Sequence, residues 1–148
     1  MRPLVALVAC VVWALPVAPA CADTYFLTVA GLGGEPDYER EFGELAANLD
    51  RTLKGPEEHV YTLSGQDASR AELTRTMEQI ASRARPEDDF VLILIGHGSF
   101  DGIEYKFNLV GPDISAATLA GLCNRIAARR QLTEVLVQLA KVQEQLDQ

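Results

Sequence analysis

Cysteine is scarce in this chain: of its 148 residues only three are Cys, and Cys10 and Cys21 fall within the first 22. Cys123 is then the only thiol in the following 126 residues, so no internal disulfide can staple the fold and packing must hold it together. Basic charge is short as well, with 13 Lys and Arg against 21 Asp and Glu. Nucleic acid is excluded as a partner on this ground, because phosphate binding needs a basic patch. Gly31-Leu32-Gly33-Gly34 lacks the lysine of a P-loop and the full dinucleotide fingerprint, which leaves a flexible or substrate-facing loop. The Gly-x-Ser-x-Gly elbow of an α/β-hydrolase is also missing, and no Cys or Ser follows Leu132. Internal repeats and low-complexity segments are absent.

No long hydrophobic run is present either. Leu4–Val17 is apolar but too short to cross a membrane comfortably, Arg2 gives it a positive start, and Ala20-Cys21-Ala22 puts small residues at cleavage positions. Residues 1–22 therefore read as a signal peptide cut after Ala22, with a secreted or periplasmic destination and no membrane attachment afterwards. Lipidation of Cys21 is the alternative, although Ala18-Pro19-Ala20 matches that pattern poorly. The 126 residues left form one domain with room for a core, and without Arg2 their net charge is −9.

Thr24–Ala30 is β-rich and predicts a first strand. From Tyr38, Phe42, Leu45, Ala46, Leu49 and Leu53 recur at three and four, which predicts an amphipathic helix stopped by Gly55-Pro56. His59–Leu63 follows as a short strand. A helix capped by Asp67 or Ser69 then carries Leu73, Met77 and Ile80 on one face. Phe90–Ile95 is apolar throughout, as expected of a strand covered on both faces of a parallel sheet. Ile103–Val110 alternates and predicts a small extended excursion, and Ser115 opens a helix to Ala128. This βαβαβ order followed by a further helix predicts an α/β fold, a three-layer α/β/α sandwich with a mainly parallel sheet.

His97 stands at the carboxyl end of the apolar strand, in Gly96-His97-Gly98, where open α/β sheets place their chemistry. Together with Val29-Ala30-Gly31, Gly34, Tyr38, the Ser69–Arg83 helix and Glu87-Asp88-Asp89, this stretch resembles the caspase-like fold of the legumain and caspase group of cysteine peptidases. The resemblance covers roughly residues 25–130. It implies that His97 is the catalytic histidine and that Gly98 lends its N–H to an oxyanion hole. Arg40 would read the substrate side chain, with Ser99 beside it as a second substrate-binding residue. The implied partner is a peptide or protein substrate, and neither cofactor nor metal is called for. Leu32 and Gly33 stand where the resemblance places an asparagine that supports the histidine, and Asp101 and Glu104 are near enough in sequence to orient it.

The nucleophile of that family ends the next core strand. Here Leu132, Val135, Leu139, Val142 and Leu146 alternate at three and four after Thr133, so residues 133–148 are expected to form a carboxyl-terminal helix. Glu134–Ala140 as a strand is the alternative, on its Val135-Leu136-Val137 run. The caspase-like domain, residues 23–132, is then expected to be incomplete on its carboxyl-terminal side. Cys123, inside a predicted helix, reads as a small core hydrophobe rather than a nucleophile. Two functions follow: an exported cysteine-type peptidase domain that is inactive or incomplete as this chain, or a non-catalytic exported binding module. The first would pair with a missing carboxyl-terminal half, the second with another copy or a protein partner.

Overall fold

The structure, a computed structural model, describes residues 22–56 and 58–137. The expected signal peptide, up to residue 21, and residues 138–148 of the expected terminal helix lie outside the described residues.

Four parallel strands make the main sheet, in the order β2-β1-β3-β7. They are β1 (Thr24–Ala30), β2 (Glu58–Leu63), β3 (Asp89–Gly96) and β7 (Arg130–Val137). Helix α1 (Pro36–Leu53) leads from β1 to β2, and α2 (Arg70–Ala81) carries the chain back past β1 to β3. Because the chain reverses direction across the sheet, right-handed crossovers must put these two helices on opposite faces. The packing agrees. Phe90, Leu92 and Leu94 of β3 cluster with Leu73 and Met77 of α2, whereas Ile93 and Ile95 cluster with Phe42 and Ala46 of α1. The period-two alternation of one apolar strand thus feeds two cores, which is why every residue from Leu92 to Gly96 is buried.

Local chemistry sets the helix starts. Pro36 opens α1 with Asp37 and Glu39 in its first turn, and the Ser69 hydroxyl caps α2 by accepting from Glu72 N–H at 3.3 Å. A single 3-10 turn, Gly65–Asp67, precedes that cap. After β3, a second, antiparallel sheet of three short strands juts from the sheet's carboxyl end, β4 (Gly98–Phe100), β5 (Tyr105–Phe107) and β6 (Ile114–Ser115). The Ser115 hydroxyl then caps α3 (Ala116–Cys123) by accepting from Thr118 N–H. This helix ends five residues before the expected Ala128.

The expected helix from residue 133 is corrected over its described part. Residues 130–137 form β7, and every one of them is in register with β3, from Asp89 opposite Arg130 to Gly96 opposite Val137. Of the five residues that carry the helical period, Leu139, Val142 and Leu146 lie beyond residue 137, whereas Thr133 and the Val135-Leu136-Val137 run favour a strand. The strand expected to be missing beside β3 is therefore present.

Candidate functional site

The direction of the chain reverses between β1 and β3, and in an open parallel sheet the crevice beyond the carboxyl ends of such a strand pair is the natural binding place. Two glycine-bearing ends meet there. Gly31, just past β1, donates its N–H to the Ile95 carbonyl at 2.8 Å. A Cβ on Gly31 would lie 2.5 Å from the Asn108 carbonyl oxygen and 2.7 Å from the Phe107 ring. The Phe107 ring also closes on Gly96 of β3, where a Cβ would approach it to 3.1 Å. The Gly31–Gly34 segment, expected to be a flexible or substrate-facing loop, is at Gly31 a packed joint that brings the two strand ends together. Gly33 is equally tight, since a Cβ there would lie 2.6 Å from the Glu39 backbone nitrogen.

His97 continues the alternation of Ile93 and Ile95 onto the α1 side. Its ring lies edge-on to Tyr38, with centroids 5.0 Å apart at 88°, and to Phe42 at 5.2 Å and 67°. Tyr38 and Phe42 are one helical turn apart on α1, so a single helix face walls the imidazole. The residue is half-buried, and neither ring nitrogen has a hydrogen-bond partner among the described residues. The imidazole is thus held in place by aromatic packing while its nitrogens stay available for proton transfer.

Gly98 adds a backbone donor. It sits opposite Phe107 in the antiparallel ladder, and Asn108 N–H donates to the His97 carbonyl at 3.0 Å. That pattern makes Gly98 a non-hydrogen-bonded position, whose own N–H faces away from β5. The residue is exposed, and β4 is an outer strand of the small sheet, so this N–H points to open space beside His97.

The remaining sequence candidates are dispersed. Arg40 is exposed and paired with Asp37 at 3.0 Å, and it lies two residues from both Tyr38 and Phe42, which puts it on the far side of α1 from His97. Ser99 is exposed on β4, with its hydroxyl 3.5 Å from an Asp113 carboxylate oxygen. Asp101 does not orient His97. It accepts from the Ile103 and Glu104 N–H groups at 3.0 Å and from Lys106 Nζ at 2.5 Å, closing the β4–β5 hairpin on itself. The Lys106 ammonium and those two N–H groups hold its carboxyl far below the usual carboxylate range. Glu104 faces the same Lys106 at 3.6 Å.

Cys123 is buried with α2 and α3 in the core on the opposite face of the sheet from Tyr38 and Phe42. The sheet therefore separates it from His97. A small cleft of about 80 Å³ adjoins the Gly31 joint, lined by Leu32, Glu39, Gly43, Gln66 and Val110 among others. Among the described residues no group of three His, Cys, Asp or Glu side chains is placed to hold a metal ion, and no helix is long and apolar enough to cross a membrane. What the sequence reading missed is the aromatic wall. Its signal was present in Tyr38 and Phe42, an i, i+4 aromatic pair at the start of a helix.

No family model matches the chain, and no curated protein matches it. A solved structure does. The crystal structure of protein GSU0716 from Geobacter sulfurreducens is similar at a TM-score of 0.54 and 20% identity, over 76% of this chain and 48% of that one. At that identity the likeness shows a shared α/β fold alone, and this chain spans about half the length of the protein it matches.

Proposed function

We propose that this chain is the histidine-bearing part of an exported cysteine peptidase domain of legumain or caspase-like ancestry, and that alone it does not cleave peptide bonds. The observation that carries this reading is the corner at the end of β3, where a packed imidazole and an outward-facing Gly98 N–H lie side by side. Acyl transfer by a thiol needs an imidazole to move the proton and backbone donors for the developing oxyanion, and the corner supplies both. The thiol is the part it lacks. Cys123 is across the sheet, and the chain beyond β7, whose end is level with Gly96, contains no Cys or Ser.

Labelling of the mature protein with a peptide-based, thiol-directed acylating probe, read by intact mass, tests the proposal. No adduct is expected on the folded wild type. An adduct at Cys123 that disappears in both His97→Ala and Cys123→Ser would overturn it.

The alternative, a binding module without catalysis, draws on the hairpin beside the histidine. Phe100, Ile103 and Tyr105 are 55%, 90% and 71% exposed there, and the outer edge of β4 is open among the described residues. An extended peptide pairing with such an edge is a recurrent recognition mode. Backbone amide shifts at residues 98–100 on adding a peptide ligand, with no turnover, would favour this reading.

A further inference from the structure

We propose that removal of residues 1–22 creates an ionic lock, in which the new α-ammonium of Asp23 sits on the buried carboxylate of Asp88 and ties the start of β1 to the turn before β3. The inference rests on the export reading given above and adds to it a structural role for the cut. The backbone nitrogen of Asp23 already donates to Asp88 Oδ1 at 3.0 Å, and the Asp23 carbonyl accepts from Asp89 N–H at 3.0 Å. Asp88 has no exposed surface. Its carboxylate also accepts from Arg85 N–H at 2.8 Å and from the Arg85 guanidinium at 3.0 Å. Hydrolysis of the Ala22–Asp23 bond consumes one water: the leader departs with the Ala22 carboxylate, and the nitrogen bonded to Asp88 becomes a protonated amine. A neutral donor is replaced by a cation in the same place, and charge-assisted bonds of this kind are about twice as strong as neutral ones.

The surroundings favour an added positive charge. Arg85 is shared by three carboxylates, with Asp23 at 3.3 Å, Glu87 at 3.7 Å and Asp88 at 3.0 Å. His59, stacked on Tyr25, lies 3.6 Å from the Asp23 carboxylate, and Arg129 is turned to Asp89 at 3.5 Å. Acidic groups thus outnumber fixed cations at this corner, and an ammonium offsets part of the excess. Burial alone would raise the Asp88 carboxyl, but the Arg85 guanidinium and the Arg85 and Asp23 N–H groups outweigh it and keep the carboxyl below its ordinary range, so it is ionised when the ammonium arrives.

The test uses the full chain expressed with its own leader in an exporting bacterium. Intact mass of the exported protein gives its first residue, and acylation by N-hydroxysuccinimidyl acetate at pH 7 is then timed at the α-amine in the native state and in urea. The expected result is a chain starting at Asp23 whose amine reacts at least about tenfold more slowly when native, because an ion-paired ammonium has a raised pKa relative to the ordinary ~7.7–8.0. Folded Asp88→Asn should recover fast acylation, and the wild-type comparison stands by itself if that variant does not fold. A chain that keeps residues 1–22 overturns the export reading and the lock with it, and an exported chain with another first residue overturns the lock. A start at Asp23 with equal rates in the two states, or a folded Asp88→Asn that stays protected, overturns the lock alone.

Discussion

Single residues do two separate jobs at the two ends of the sheet. At the carboxyl end, Gly31 has no room for a side chain, because the nearest obstacle to a Cβ is the Asn108 backbone carbonyl at 2.5 Å, which cannot rotate aside as a side chain would. Gly31→Ala is therefore expected to cost about 2–3 kcal/mol, within the range for overpacking, measurable by urea unfolding. Phe107→Leu should not restore the loss, since it removes the ring and leaves the carbonyl; full recovery in the double variant would show that the ring is the obstacle. At the amino end, Asp88 is buried with Arg85 and the Asp23 amide on it. Its folded pKa is depressed, so its contribution to stability is complete above the unfolded value of about 3.9 and is lost as pH falls through the folded value. Asp88→Asn is expected to lose about 2–3 kcal/mol at pH 7 and to show a smaller drop than wild type between pH 7 and pH 3. Parallel pH profiles for the two proteins would remove Asp88 from the acid response.

Among elements, α1 links packing to the site. Phe42 is 3% exposed and fills the core against Ile93 and Ile95 while its edge holds His97, so Phe42→Ala should cost about 3–4 kcal/mol. Tyr38 is half-buried, and Tyr38→Ala should leave the fold intact while releasing one side of the imidazole. The His97 ring resonances in nuclear magnetic resonance are then expected to broaden or shift, whereas those of His59, at the other end of the sheet, stay put. Unmoved His97 resonances would mean that Tyr38 does not position the ring.

The same helix shows how far the sequence could be read. The 3.6-residue period from Phe42 to Leu53 was enough to place α1, and the all-apolar run from Phe90 was enough to place β3, because each pattern is dictated by what the element packs against. The position of His97 followed from the end of that run. Its aromatic wall did not, since Tyr38 and Phe42 read equally well as core. Arg40 shows the limit of motif spacing, as a shift of two residues on a helix moves a side chain to the opposite face. β7 failed for another reason. Its residues are few and its neighbouring leucines keep helical spacing, so only the pairing with β3, a contact between segments about 40 residues apart, decides for a strand.

For the whole molecule, β7 changes the question from a missing strand to an open edge. Among the described residues the sheet ends at an eight-residue parallel strand with no partner on its outer side. Proteins cover or blunt edges of that length, since a row of unpaired N–H and C=O groups templates further pairing. β7 is therefore where a further strand would add to the sheet. The chain by itself is accordingly expected to self-associate through this edge. Light scattering coupled to size exclusion should show its mass rising above that of a single mature chain as concentration increases through the micromolar range, with hydrogen exchange at residues 130–137 slowing in step. A constant monomer mass over that range would mean that the edge is already covered within the chain, and would shift attention from partner strands back to the histidine corner.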